Sequence, residues 1–304
     1  MNVQVTIGSL ILPNPLTVAS GTFGYGVEYG GLINAGTLGA IVTKTITPVP
    51  RTGNRPSRLW ETPSGLLNSI GLENVGLERF ITEKIPPLES YPCPVIVSIM
   101  GETEEGFARL TERLDGCGRV DGLELNLSCP NIAYHGGGLI AQDPEAVGAV
   151  VAAVRKKTKK AVIAKLTPEV SDISAIGRAA EAAGADAIAL INTIKAMAID
   201  VETRRPRLGN VTGGLSGPAI RPVAVRLVWE LFQAVRIPII GMGGIATCED
   251  ALEFIIAGAS AIAVGTYIFV DPQAVTAIPD DICDYMKKHR MKDIRELVGS
   301  VQVQ

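Results

Sequence analysis

Short runs of apolar and β-branched residues recur along the chain, each followed by a longer stretch with apolar positions at helical spacing. The runs are Leu16–Ser20, Ala40–Lys44, Val95–Met100, Leu123–Ser128, Val162–Leu166, Ala187–Asn192, Pro238–Gly243 and Ala261–Thr266. They are near-continuous rather than alternating, which is the pattern of parallel strands covered on both faces. The intervening helices mark their own ends. Asp143-Pro144-Glu145 offers an N-cap, a first-turn proline and an acid near the positive pole of a helix. Val147, Val150, Val151 and Val154 then form one stripe, and Lys156, Lys157, Lys159 and Lys160 gather at the negative pole. Asp271-Pro272 repeats the start signal, and Thr247 with Asp250 has capping-box spacing.

A weak internal repeat supports the same unit. Residues 182–190 (AAGADAIAL) echo 256–264 (IAGASAIAV), each with a glycine that ends a helix before a buried strand. Eight alternating units without a long linker favour an α/β fold closed as one (β/α)₈ TIM barrel over an open sheet. The expected domain is single and spans residues 1–304. A turn at Gly8-Ser9 predicts an N-terminal β-hairpin capping the barrel floor.

Composition narrows the function. The chain has 304 residues, 47% hydrophobic and 19% charged, with a net charge of -3 and a pI near 5.6. That balance gives no basic surface for nucleic acid or anionic lipid. No apolar run reaches the ~20 residues of a membrane span. The N-terminus lacks a basic region followed by an apolar core, so a cytoplasmic protein with reduced thiols is expected. The five cysteines (Cys93, Cys117, Cys129, Cys248 and Cys283) are scattered, and only His135 and His289 are histidines. An iron–sulfur or zinc knuckle, a His-based metal site and a Ser-His-Asp triad are therefore not expected in this chain.

Barrel chemistry sits where strands end and the following loops begin. The strand ends here deliver Ser20, Lys44, Ser98, Asn126, Lys165 and Asn192, then Gly243-Gly244 and Gly265-Thr266. Lysines and asparagines closing apolar strands need polar partners. Glycine pairs after the seventh and eighth strands suit a phosphate, because they expose backbone N–H groups ahead of helices. After the fourth strand, Asn126-Leu-Ser-Cys-Pro-Asn131 runs into three glycines, Gly136 to Gly138. A thiol in such a lid can serve as an acid/base if its surroundings favour the thiolate. The other four cysteines are expected to be small buried hydrophobes, and His135 a loop residue.

At these residues the chain resembles the dihydroorotate dehydrogenase family. The matching segments are Ala19–Gly21, Thr43–Thr45, Asn68–Leu72, Asn126–Asn131, Lys165–Pro168, Ile191–Thr193, Leu215–Gly217, Gly241–Gly244 and Val264–Thr266. The stretch Ala198–Asn210 resembles the class 1, type B catalytic subunit. The resemblance implies FMN held by Ser20, Lys44, Thr45, Ser98, Asn126, Lys165, Ile191, Gly217, Gly243, Gly244, Gly265 and Thr266. It implies substrate contacts from Lys44, Asn68, Ser69, Ile70, Gly71, Leu72, Asn126, Asn131, Asn192 and Thr193. Cys129 would be the catalytic base, assisted by Lys44 and Lys165. Ala196 stands where the family pattern has glycine, and its methyl is tolerable unless the backbone needs positive φ.

The implied reaction oxidises dihydroorotate to orotate in pyrimidine biosynthesis. With no cysteine cluster and no early strand–GxGxxG–helix unit in this chain, electrons bound for NAD would leave through a second subunit carrying FAD and a 2Fe-2S cluster. Two copies of each chain are expected. The alternatives are a fumarate-reducing type A enzyme, a Schiff-base barrel lyase using Lys44 or Lys165, a dihydropyrimidine or dihydrouridine dehydrogenase, and a non-catalytic assembly barrel. Arg204, Arg205 and Arg207 are expected on a solvated or interface loop.

Overall fold

The structure, a computed structural model, describes residues 1–29, 31–128 and 140–303. Within them each of the eight apolar runs corresponds to a strand, two of which begin one residue ahead of the run: β1 Leu16–Val18, β2 Ile41–Val42, β3 Val95–Ile99, β4 Gly122–Asn126, β5 Ala161–Lys165, β6 Ala187–Leu190, β7 Ile239–Met242 and β8 Ala261–Val264. They pair in parallel in the order β1-β8-β7-β6-β5-β4-β3-β2. A parallel bridge between Thr17 and Ala40 joins the first to the second and closes the ring. All eight runs extend one or two residues past their strand. Those last residues lie beyond the ladder, where the chain turns over the rim.

Six helices among the described residues accompany the later strands: Glu104–Asp115, Pro144–Arg155, Ile173–Ala182, Arg221–Phe232, Cys248–Ala257 and Pro272–Lys288. Three of their caps are those the sequence signals. Asp143 accepts from the Glu145 amide, Asp271 accepts from Gln273 and Ala274, and both halves of the Thr247–Asp250 capping box are formed. The Val147, Val150, Val151 and Val154 stripe is fully buried. The first two crossovers depart from the regular unit. Between β1 and β2 the chain makes 3-10 turns at Val27–Tyr29 and Ala35–Thr37. Between β2 and β3 a hairpin, Leu59–Thr62 with Gly65–Asn68, precedes a short helix, Leu77–Arg79, continued by the π-helical turn Phe80–Lys84.

The expected floor hairpin is present as Val5–Ile7 paired with Leu10–Leu12. Its inward residues Val5, Ile7, Leu10 and Leu12 join the barrel-interior side chains, which include Ala40, Ala161, Ala187, Ala189, Ala261 and Ala263, in one buried cluster. Small interior residues leave the room that the hairpin fills. Gly122 is the tightest example, since a Cβ there would stand 2.8 Å from Leu10 Cδ1. One end of the barrel is thereby packed shut.

At the opposite end lies a four-stranded antiparallel sheet, in the order Ile194–Ala196, Gly213–Ser216, Gly65–Asn68, Leu59–Thr62. Ala196 pairs with Gly213 in it and is not among the residues with positive φ, so its methyl is accommodated. Beside this sheet the ribbon Ile199–Asp200 with Arg205–Pro206 carries exposed Arg204 and Arg205. Arg207 lies 4.2 Å above the Trp60 ring and pairs with Asp200. The cysteines need correcting. Cys93 is a buried hydrophobe, with burial pushing its thiol up to about 11. Cys117, Cys248 and Cys283 are only half-buried, because they sit at helix ends or on outward-turned helix faces. No helix among the described residues is long and apolar enough to cross a membrane.

Replacing the fully buried Leu12 with alanine should cost about 2–5 kcal/mol, the range for emptying a well-packed core position. Denaturant unfolding midpoints check this. An unchanged midpoint would mean that the hairpin is not part of the cooperative fold.

Candidate active site at the barrel mouth

A cavity of about 830 Å³ opens at the C-terminal rim, a size that suits a small-molecule site. Of the residues singled out in the sequence, Ser20, Lys44, Thr45, Asn68, Ser69, Ile70, Gly71, Leu72, Asn126, Lys165, Ile191, Asn192, Thr193, Gly217, Gly243, Gly244, Gly265 and Thr266 line it. Ser98 does not. It is fully buried, 3.0 Å behind the Thr45 hydroxyl, which in turn accepts a hydrogen bond from Asn126 Nδ2 at 3.1 Å. Cys129, Asn131 and His135 lie outside the described residues.

Strand register explains the convergence. In parallel strands, paired residues share a face; Asn126 pairs with Lys165 across β4 and β5, and Ser98 pairs with Glu124 across β3 and β4. Glu124 also pairs with Ile163 of the barrel interior, so all four side chains point inward. Asn126 Oδ1 is buried with no hydrogen-bond partner among the described residues. Buried acceptors rarely go unmatched. The Asn126 side chain itself lines the cavity, with the Nδ2 bound to Thr45.

Two lysines share the mouth. Lys165 Nζ donates to Ser20 Oγ at 3.0 Å and stands 3.8 Å from the carboxylate of Glu124. Lys44 is held below its ordinary value of 10.5, first by burial; Glu73 opposes this, and Lys165 and Arg58 add to it. Glu124 was not singled out in the sequence. Its signal was there in Leu123-Glu-Leu-Asn126, where an acid alternates with leucines on an otherwise apolar strand.

The rest of the wall comes from loops. Asn68 Nδ2 donates to Gly214 O at 3.1 Å, tying the Leu59–Asn68 hairpin to the strand Gly213–Ser216. Asn54 holds the next segment through Ser69 Oγ at 2.8 Å and Ile70 O at 2.9 Å. Gly71 and Leu72 follow with φ of 76° and 56°, a tight reversal that turns residues 68–72 along the cavity. Asn54, Glu169 and Lys195 also line the cavity and went unnoticed in the sequence. The Lys195 amide donates to Glu169 at 2.7 Å, linking the loops after β5 and β6.

The far wall is built of glycine. Gly243 and Gly244 have φ of 129° and 82°, and a Cβ on Gly244 would stand 2.8 Å from Gly217 O. A Cβ on Gly265 would make only ordinary contacts, 3.5 Å from Ala19 Cβ and 4.0 Å from Thr22 Cγ2. Thr266 Oγ1 donates to Ser216 Oγ at 2.7 Å at the same corner. Side chains are kept out of a corner that a phosphate could fill through backbone N–H groups.

Fold and mouth together define a (β/α)₈ barrel with a polar cavity at the strand ends, edged by glycines after β7 and β8. The family profile described as Dihydroorotate dehydrogenase matches residues 2–286, and the chain belongs to that family. The protein described as dihydroorotate dehydrogenase B (NAD(+)), catalytic subunit, from Desulforudis audaxviator (strain MP104C) is 53% identical to it, covering 97% of this chain and 96% of that relative. The protein of the same description from Thermoanaerobacter sp. (strain X514) is 51% identical, covering 100% of both. A third, from Geotalea daltonii (strain DSM 22248 / JCM 15807 / FRC-32), is 48% identical over 99% of both.

The burial of Lys44 has a consequence for stability. A lysine whose folded pKa lies below 10.5 binds fewer protons folded than unfolded in that interval, so stability rises as pH climbs through it. Lys44→Met should be more stable than wild type near neutrality when ligand-free and should lack that alkaline gain. Unfolding midpoints near neutrality and at about pH 10 check both expectations; equal pH dependence in the two proteins contradicts them.

Proposed function

We infer that this chain oxidises dihydroorotate to orotate in pyrimidine biosynthesis, with FMN in the barrel mouth as immediate acceptor. The observation that carries the reading is a cavity at the strand ends that gathers Lys44, Lys165, Asn68, Asn126 and Asn192 beside the glycines after β7 and β8. The residues present fit a flavin mononucleotide. Gly243, Gly244, Gly265 and Thr266 would take its phosphate, and Ser20, Lys44, Thr45, Asn126, Lys165, Ile191 and Gly217 its ring and side chain. Ser98 would act through Thr45. When bound, FMN supplies the hydride acceptor.

The chain's own groups do the rest. Dihydroorotate must lose a proton from carbon 5 and a hydride from carbon 6. Lys165, fixed by Ser20, would stabilise negative charge at the pyrimidine edge of the flavin. Asn68, Asn126, Asn131 and Asn192 suit a pyrimidine and its carboxylate, because an amide both donates and accepts. Thr193, Lys44 and the turn Ser69–Leu72 would complete that pocket. Cys129, as thiolate, would take the carbon 5 proton. It directly follows Ser128, which lines the cavity and donates to Lys165 O at 3.2 Å. An unperturbed thiol titrates at about 8.5, close enough to neutrality for such work.

The relatives' description as NAD(+)-linked catalytic subunits supports a matching arrangement here. A second subunit would carry FAD and a 2Fe-2S cluster, two copies of each chain would assemble in the cytoplasm, and NAD would be the final acceptor. The same description favours this over the fumarate-reducing and Schiff-base alternatives.

Cys129→Ala should slow flavin bleaching by dihydroorotate about 10²–10⁴-fold, the usual contribution of a positioned base. Anaerobic stopped-flow measures it, and bleaching near the wild-type rate would remove Cys129 from the role. Protein that retains no flavin would defeat the reading as a whole.

A further inference from the structure

Beneath the mouth lies an acid that the reaction itself does not call for. Glu124 sits one inward position below Asn126 on β4, and its side chain is 3% exposed. Its Oε1 has no hydrogen-bond partner among the described residues. The Lys165 ammonium is 3.8 Å away and only 7% exposed, and its hydrogen bond goes to Ser20 instead. At the same level the neighbouring strand carries Ile163, so an aliphatic side chain fits this layer.

A buried carboxylate costs several kcal/mol to desolvate, and a buried ion pair is often no more stable than an apolar pair of equal volume. Stability alone therefore gives no reason for Glu124. The site does. Lys165 must stay charged and fixed beneath the rim, and Lys44 adds a second cation to the same mouth. An acid placed below the rim anchors the first and balances the local charge without entering the ligand space.

We propose that Glu124 is a positioning residue: its carboxylate holds the Lys165 ammonium under the cofactor seat and tempers the positive charge that a flavin there meets. It touches neither cofactor nor substrate and acts through Lys165. The inference rests on the flavin reading above. Removing its charge leaves Lys165 uncompensated, which favours the reduced, more negative flavin. Removing Lys165 does the reverse, and it leaves Glu124 no ammonium to hold. The effect of Glu124 should then vanish.

The test is the reduction equilibrium of the flavin-loaded protein, measured against a reference dye. Glu124→Gln should move it at least tenfold toward reduced flavin, about 30 mV for a two-electron couple. Lys165→Met should move it as far the other way. Adding Glu124→Gln to Lys165→Met should change it by less than about twofold, since only the coupled pair carries the effect. A Glu124→Gln protein with an unmoved potential overturns the proposal, and so does an equal shift in the Lys165→Met background. Should Glu124→Gln fail to fold, unfolding of the double variant decides. Recovery of folding supports a coupled pair, because breaking one partner strands the other; a double variant that stays unfolded contradicts it. Wild-type protein that binds no flavin would sink the functional reading, whereas flavin-loaded protein with an unmoved potential sinks only this inference.

Discussion

Closure of the parallel ring around a packed floor is the constraint on which everything else depends. Eight short strands share one direction, so all their C-terminal ends meet on one rim. The hairpin Val5–Leu12 fills the opposite end, against an interior of alanines, valine, isoleucines and methionine. A side chain that needs water or a partner is accommodated at the open rim, and the polar strand ends are found there. The site follows from the way the barrel closes.

Within that rim, the energetics pull against each other. Lys44 is disfavoured by burial and by a neighbouring cation, Asn126 Oδ1 is left without a partner among the described residues, and Glu124 and Lys165 are charges in an almost dry layer. Each lowers the stability of the ligand-free fold. The two buried apolar clusters of the barrel offset them, and a ligand that binds the folded state adds to its stability. A mouth preorganised in this way spends little on rearrangement when ligands arrive, which is how a fixed polar site stabilises charge that appears during a reaction.

Much of this was legible in the chain itself. Continuous apolar runs gave the strands because both faces of each strand are covered, and the caps at Asp143, Thr247 and Asp271 gave helix starts because their side chains can satisfy orphan amides locally. What stayed hidden depends on register and on long-range contacts. The hairpin Leu59–Asn68 pairs with Gly213–Ser216 nearly 150 positions away, and no local pattern announces that partner. Ser98 read as a polar strand end, yet it lies inside its strand and Thr45 stands between it and the cavity. Glu124 hid inside a run that read as apolar. Asn54, Glu169 and Lys195 sit in loops, where polar residues carry no signal until the loops are placed.

The most direct measurement is a crystal structure of the protein with FMN and orotate bound. It should show the phosphate against the Gly243–Gly244 and Gly265–Thr266 backbone, Asn126 Oδ1 matched by a ligand donor, and Cys129 on the face of orotate opposite the flavin. A flavin seated elsewhere, or an Asn126 still without a partner while Cys129 points away from orotate, would contradict the account.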